Sequence, residues 1–223
     1  MSDIDALMQV APVIPVLVID DVAHAAPIAA ALVAGGLRML EVTLRTTVAL
    51  DVMREMAKVD GAIVGAGTVL NTRDLDAALA AGAQFIVSPG LTEPLGRAAI
   101  ASGVPFLPGV ASAGDIMRGL DMGLDRFKFF PAETSGGLPA LKALAGPFGA
   151  VRFCPTGGIT LPTAPAWTPH PAVRRVRGSA QGAEVVRCCE ALGGQALEIG
   201  RVRHDQVELA TQLHDRERLA IAA

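Results

Sequence analysis

The stretch VRFCPTGG at residues 151–158 decides between the two folds that the sequence pattern allows. It places two adjacent glycines directly after a short apolar run, the seventh of a series of such runs. An open, doubly wound sheet usually has its glycine-rich turn after the first strand. In a (β/α)8 barrel, the loops after the seventh and eighth strands often bind phosphate. The position of the glycines therefore favours the barrel.

The rest of the chain alternates short apolar runs with Ala-rich amphipathic stretches at intervals of about 20 to 25 residues, which is typical of βα units around a parallel sheet. Asp20 and Asp21 can cap the first helix, and Gly35 and Gly36 can end it. We predict an α/β fold, a (β/α)8 TIM barrel, as a single domain over residues 1–223. The predicted strands are residues 13–19, 37–42, 63–65, 84–88, 104–107, 125–129, 151–154 and 172–176, with helices between them at, for example, residues 71–81 and 112–122.

Composition and charge favour a small-molecule partner. Of the 223 residues, 51% are hydrophobic and 18% are charged, and the formal net charge is −3. A chain of this charge has no basic surface of the kind that binds nucleic acid or an anionic membrane. The first residues lack the pattern of a secretory signal, and the apolar runs are too short to cross a bilayer. We expect a cytoplasmic protein with no nucleic-acid or membrane partner.

Cysteine and histidine give no metal pattern. Cys154, Cys188 and Cys189 form an odd set, and four histidines are scattered without ligand spacing. We expect reduced thiols and no metal.

Lys128 is the first candidate catalytic residue. It lies in DRFKFF at residues 125–130, where strand alternation sends Phe127 and Phe129 to one face and Lys128 to the other. If the phenylalanines pack against the helices, Lys128 points into the barrel, and burial lowers its pKa toward the range in which lysine acts as a neutral nucleophile. The alternative is a strand-end lysine whose amine reaches solvent.

Glu41 ends an apolar run on the second predicted strand, and a carboxylate there can move the protons that imine chemistry requires. A structural ion pair with Arg45 or Lys128 is the alternative. Thr68 follows the third strand in the segment GAGT at residues 65–68, where the glycines let a ligand approach the backbone. The alternative is that Thr68 caps the next helix. Glu133, past the sixth strand, is an acid, a base or a solvated loop residue.

The glycine turn, defined as Gly157 and Gly158, is the candidate phosphate site. Adjacent glycines expose backbone N–H groups, and a helix start favours an anion. Ser179 follows the eighth predicted strand, where a barrel supplies the rest of a phosphate site.

Five ordered motifs resemble the KDPG aldolase (2-keto-3-deoxy-6-phosphogluconate aldolase) family of class I aldolases, which also handles 4-hydroxy-2-oxoglutarate. They are LEVTLRT (40–46), VGAGTVL (64–70), VSPGLT (87–92), FKFFPAE (127–133) and RFCPTGGI (152–159).

The resemblance implies a lyase of the Entner–Doudoroff pathway that cleaves 2-dehydro-3-deoxy-6-phosphogluconate to pyruvate and glyceraldehyde 3-phosphate, with no cofactor, as a homotrimer. It implies a role for each matching residue: Lys128 forms the Schiff base, Glu41 shuttles protons, Arg45 and Thr68 bind the substrate carboxylate, Pro89 and Phe130 shape the pocket, and Gly157, Gly158 and Ser179 bind phosphate.

The resemblance weakens after the seventh strand. The family usually has Gly-Gly-Ser-Trp after strand eight, whereas this chain has RGSA at residues 177–180. Residues 181–223 form a divergent C-terminal tail. Two alternatives remain open: a Schiff-base aldolase for a galactonate-derived epimer or an unphosphorylated 2-keto acid, and a barrel that binds phosphosugars without turnover.

Overall fold

The computed structural model describes residues 4–10, 13–159, 163–167, 169–173 and 176–178. The strands are β1 (Val13–Leu17), β2 (Met39–Thr43), β3 (Ile63–Gly67), β4 (Ile86–Val87), β5 (Phe106–Leu107), β6 (Gly109–Val110), β7 (Arg126–Phe129), β8 (Arg152–Pro155) and β9 (Val176–Gly178). The helices are α1 (Ile4–Gln9), α2 (Ala25–Ala34), α3 (Ala49–Met56), α4 (Thr72–Ala80), α5 (Glu93–Ser102), α6 (Ala113–Asp121), α7 (Gly137–Ala145) and α8 (Ala164–Trp167).

The strands pair in parallel in the order of the predicted (β/α)8 barrel, which is confirmed. One sheet runs β5-β4-β3-β2-β1-β9, and a second runs β6-β7-β8. Pro108 alone separates β5 from β6, so these two short strands are one barrel strand interrupted at a residue that has no N–H to donate. On the other side, Phe153 of β8 bridges to Val173, three positions before β9.

Local signals explain where the helices begin. Asp21 accepts a hydrogen bond from the N–H of Ala23 at 2.9 Å and so caps the short 3₁₀ turn that leads into α2. Asn71 caps α4, and Ser112 forms a reciprocal capping box with Asp115 at the start of α6. These side chains satisfy backbone donors that the first helical turn leaves without partners.

Side-chain alternation divides the buried residues into two layers. The outer core lies between the strands and the helices, and it contains Phe127, Phe129 and Phe153. The inner core fills the barrel, and there Ile4 and Met8 of α1 pack against residues such as Phe85. Helix α1 therefore covers the N-terminal end of the barrel interior.

The eighth strand differs from its prediction. We predicted residues 172–176, whereas β9 spans Val176–Gly178 and pairs with β1. The backbone first turns at His170, whose carbonyl accepts from the N–H of Val173 at 2.8 Å and whose Nδ1 accepts from the N–H of Ala172 at 3.2 Å. Within the predicted range, Ala172 and Val173 pair with Phe153 of β8. None of the helices in the described ranges combines the length and the apolar character that crossing a bilayer requires.

Candidate active site

Lys128 lies on the inner side of β7. Its neighbours Phe127 and Phe129 are buried in the outer core, as predicted. Lys128 is opposite Cys154 of β8 in the parallel ladder, and Cys154 belongs to the inner core. The side chain is only 6% exposed. The expectation that Lys128 points into the barrel is confirmed.

The surroundings of Lys128 make its amine a better nucleophile. Burial lowers the pKa of Lys128 to about 8, while Cys154 acts to raise it and the positive charge of Arg45 acts to lower it further. The Nζ atom lies 4.5 Å from the centroid of the Phe130 ring, a contact that favours the charged form and so opposes the effect of burial. Burial has the larger effect, so part of the amine is neutral near physiological pH.

Glu41 lies inside the barrel on β2, the strand between β1 and β3. It is 1% exposed and pairs with Gly65 in the ladder, while its carboxylate reaches along the barrel to Gly67. Burying a carboxylate is costly, so one at this position indicates a chemical or structural requirement.

Arg45 stands in the turn after β2, where its side chain is exposed. Its Nε donates to the Thr43 hydroxyl at 3.2 Å, and that hydroxyl donates to the Leu17 carbonyl at 3.0 Å. The positive charge of Arg45 also contributes to lowering the pKa of Lys128. A guanidinium matches a carboxylate in a two-point fork, which is the chemistry that an exposed arginine at this end of the barrel can offer.

Thr68 directly follows β3 and adopts a φ of 59°, which is uncommon for a residue with a side chain. Helix α4 is capped by Asn71, so Thr68 is not its cap. Its backbone conformation is of the kind that recurs at binding sites. The half-buried Thr68 side chain stands at the same end of the barrel as Arg45.

The turn after β4 forms another wall at this end. Ser88 is buried, and its hydroxyl donates to the Gly90 carbonyl at 2.6 Å. This bond closes the turn around Pro89, which is half-buried. The structure thus brings Pro89 and Phe130, the predicted pocket residues, to the C-terminal ends of the strands.

The glycine turn follows β8 with φ values of 103° at Gly157 and 77° at Gly158. The carbonyls of Thr156 and Gly157 accept from the N–H groups of Ala132 and Glu133, at 2.8 and 3.0 Å. Neither glycine N–H donates to another residue in the described part of the chain. The turn therefore presents two backbone donors. Ser179 lies outside the described residues.

Two features of the site were missed from sequence. The sequence pattern indicates only a reduced thiol at Cys154, yet this residue lies opposite Lys128. Glu133 is not simply solvated, because its carboxylate accepts from the indole N–H of Trp167 at 3.2 Å. The position of Cys154 opposite Lys128 depends on strand register, and the bond between Glu133 and Trp167 joins segments that are far apart in the sequence. Neither feature can be recognised from neighbouring residues alone. In the described ranges, no three His, Cys, Asp or Glu side chains gather as a metal site would need.

The family model described as KDPG and KHG aldolase matches residues 4–189. The chain belongs to this family. It is 62% identical over 179 residues to the 2-dehydro-3-deoxy-phosphogluconate aldolase of Zymomonas mobilis subsp. mobilis, covering 80% of this chain and 86% of that one. The family assignment and this identity make the chain an aldolase, a carbon–carbon lyase.

Two crystal structures of relatives share the fold. The 2-keto-3-deoxy-6-phosphogluconate aldolase of Zymomonas mobilis ZM4 with 3-phosphoglycerate superposes with a TM-score of 0.81 at 56% identity, over 90% of this chain and 98% of that one. The KDPG aldolase from Legionella pneumophila, with pyruvate captured as a covalent carbinolamine, gives a TM-score of 0.77 at 45% identity, over 79% and 86% of the chains.

Proposed function

We propose that this aldolase cleaves 2-dehydro-3-deoxy-6-phosphogluconate to pyruvate and glyceraldehyde 3-phosphate through a Schiff base on Lys128, with a side activity on 4-hydroxy-2-oxoglutarate. One observation supports the proposal above all others. The Lys128 amine is buried inside the barrel opposite Cys154, and this burial lowers its pKa to about 8, so it is partly neutral under physiological conditions.

The reaction begins when the neutral Nζ of Lys128 attacks the C2 ketone and forms a carbinolamine. Glu41, buried in the same interior, protonates the departing hydroxyl, and loss of water leaves a cationic imine. The crystal structure of the Legionella relative with a pyruvate carbinolamine supports this first step by similarity.

The imine then accepts the electrons of the broken bond. A base removes the C4 hydroxyl proton, the C3–C4 bond breaks, and its electron pair moves to the imine nitrogen. Glyceraldehyde 3-phosphate leaves, and an enamine of pyruvate remains on Lys128. Glu41 returns a proton to C3, and water hydrolyses the resulting imine to release pyruvate and the free amine.

Four residues at the C-terminal ends of the strands hold the pyruvyl end of the substrate. Arg45 binds the carboxylate with its guanidinium, and Thr68 adds a hydroxyl. Pro89 and the Phe130 ring shape the pocket around the imine. The contact of the Phe130 ring with the Lys128 amine and the charge of Arg45, which acts on that amine, support this arrangement.

The other end of the substrate carries the phosphate. Gly157 and Gly158 donate their backbone N–H groups to it, and Ser179 adds a hydroxyl. The two available N–H groups of the glycine turn support this assignment, as does the Zymomonas relative that was crystallised with 3-phosphoglycerate.

The similarity to the KDPG aldolase family also supports a proposal for the compartment, the pathway and the oligomeric state. We propose a single-domain cytoplasmic enzyme of the Entner–Doudoroff pathway that assembles as a homotrimer, with the divergent residues 181–223 as its tail. No metal or organic cofactor enters the steps above.

Reductive trapping tests the proposal. Borohydride added with pyruvate should inactivate the enzyme and add one pyruvyl group to Lys128, because the reagent reduces an imine to a stable amine. Peptide mass spectrometry locates the label. Label on another lysine, or none, contradicts the mechanism.

An assay that couples pyruvate release to lactate dehydrogenase then compares candidate substrates. Faster cleavage of the galactonate-derived epimer or of an unphosphorylated 2-keto acid would replace the proposed substrate and leave the Schiff base intact. Trapping without turnover of any candidate would favour a binding protein.

A further inference from the structure

Glu133 and Trp167 have no part in the chemistry above, yet they join the glycine turn to the strand that carries Lys128. Glu133 lies in the segment after β7, and Trp167 ends α8. Trp167 is the only tryptophan of the chain and is 2% exposed. A buried indole N–H requires an acceptor, and here the acceptor is the Glu133 carboxylate, 3.2 Å away.

The side chain of Glu133 supports the glycine turn from behind. A Cβ at Gly158 would lie 2.8 Å from Cβ and 2.9 Å from Cγ of Glu133, so the backbone of Gly158 rests against this side chain. The N–H of Glu133 donates to the Gly157 carbonyl at 3.0 Å. Both glycines of the turn are therefore held by one residue.

Trp167 in turn fixes the Glu133 side chain. Its ring packs against Phe129 with a centroid separation of 6.4 Å, and Phe129 precedes Phe130 and follows Lys128 on β7. The indole cannot move without disturbing the outer core, so the carboxylate that it binds is also held in place.

We propose that Glu133 and Trp167 are positioning residues that hold the glycine turn in its phosphate-accepting conformation, and so set the preference for a phosphorylated substrate. This inference rests on the proposed function for the assignment of the turn to phosphate. Glycines have unusual backbone freedom, so a turn without this support must be ordered when phosphate binds, and that ordering weakens affinity.

The kinetic test uses three variants. Trp167→Phe keeps an aromatic ring but removes the N–H donor. Glu133→Ala removes the Cγ that abuts Gly158 and the carboxylate acceptor but keeps the backbone bond to Gly157. Glu133→Gln keeps both the Cγ contact and an acceptor for the indole. The first two should raise KM for the phosphorylated substrate about ten-fold with kcat little changed, and Glu133→Gln should remain close to wild type. Cleavage of unphosphorylated 4-hydroxy-2-oxoglutarate should change by less than about two-fold in all three.

The double variant and a control separate positioning from general damage. Because Glu133 and Trp167 act as one unit, Trp167→Phe should add little to KM in the Glu133→Ala background. Glu93→Ala removes an exposed helix glutamate that pairs with Arg97, and it should leave KM unchanged for both substrates. Equal losses on both substrates, or no loss on either, overturn the proposal.

A binding measurement gives a readout that does not need turnover. Inorganic phosphate is titrated into each protein, and isothermal titration calorimetry should detect its binding to the wild type. The midpoint of that titration should shift about ten-fold higher in Glu133→Ala and stay in place in Glu133→Gln. Equal midpoints in all three proteins, or no response of the wild type, overturn the inference. Failed pyruvate trapping on Lys128 would instead refute the proposed function alone.

Discussion

Glu41 and Gly67 are in contact across the two neighbouring strands β2 and β3. A Cβ at position 67 would lie 2.8 Å from both Cγ and Cδ of Glu41, closer than real carbon atoms approach. Glu41 is in register with Gly65, so its carboxylate extends two residues toward the C-terminal end of the barrel. The position of this carboxylate therefore depends on the absence of a side chain at Gly67.

Gly67→Ala should displace the Glu41 carboxylate and lower kcat about a hundred-fold, because a shift of about 1 Å in a catalytic group has effects of this order. Steady-state turnover measures the effect, and circular dichroism checks the fold. Gly149→Ala is the matched control, since a Cβ there meets no atom within 4 Å, and it should retain normal turnover. Normal turnover of Gly67→Ala would show that the carboxylate position is unimportant.

Glu41→Gln should keep the fold and slow turnover by about two to four orders of magnitude, the usual effect of losing a positioned acid or base. The amide has nearly the same shape but cannot exchange a proton. Single-turnover kinetics would show the loss in the chemical steps rather than in substrate binding. Turnover near that of the wild type would remove Glu41 from the proton path.

The pH dependence of kcat/KM should show the low pKa of Lys128, which burial brings down to about 8. Protonation removes the nucleophile, so kcat/KM should fall as the pH drops below about 8 and reach a plateau above it. A rate profile over this range measures the midpoint. If kcat/KM instead kept rising with pH up to the usual lysine pKa near 10.5, the result would contradict a buried nucleophile.

Lys128→Met should abolish activity and raise the free energy of unfolding at about pH 7 by about 1 to 3 kcal/mol, because it removes an amine that is costly to bury. The pKa of Lys128 is lower in the folded protein than in the unfolded chain. Below about pH 8 the lysine is charged in both states, so the cost of burying the charge lowers the stability of the folded wild type by its full amount. Urea unfolding measures the difference between variant and wild type.

The same linkage predicts how this difference varies with pH. Between about 8 and 10.5 the unfolded state binds more protons than the folded state, so wild-type stability rises with pH and the advantage of Lys128→Met shrinks. A constant difference over this range would mean that Lys128 is not the titrating group.

Strand alternation explains why the position of Lys128 could be predicted. The period of two is a local property of the chain, so the phenylalanines on either side of Lys128 were enough to assign it to the inner face. The caps at Asp21, Asn71 and Ser112 also follow from side chains adjacent to the helices they begin. The glycine turn could be identified because its two residues adjoin in sequence.

Other features depend on how distant segments meet. The break at Pro108 divides one predicted strand into β5 and β6, and β9 continues to Gly178, beyond the predicted end of the eighth strand. Helix α1, whose Asp5 pairs with Arg126 at 2.7 Å, covers the end of the barrel without a sequence signal that ties it to β7. Such contacts join residues far apart in the chain.

The sequence by itself determined the family, the barrel class and the lysine that faces inward, because composition, period and motif spacing are properties of the chain alone. Only the tertiary structure brought Cys154 and Arg45 close enough to change the pKa of Lys128, and only it placed Trp167 on Glu133. The reason is physical: desolvation and charge–charge interactions depend on distances through space, and these are fixed only when the strands take their register and the loops pack together.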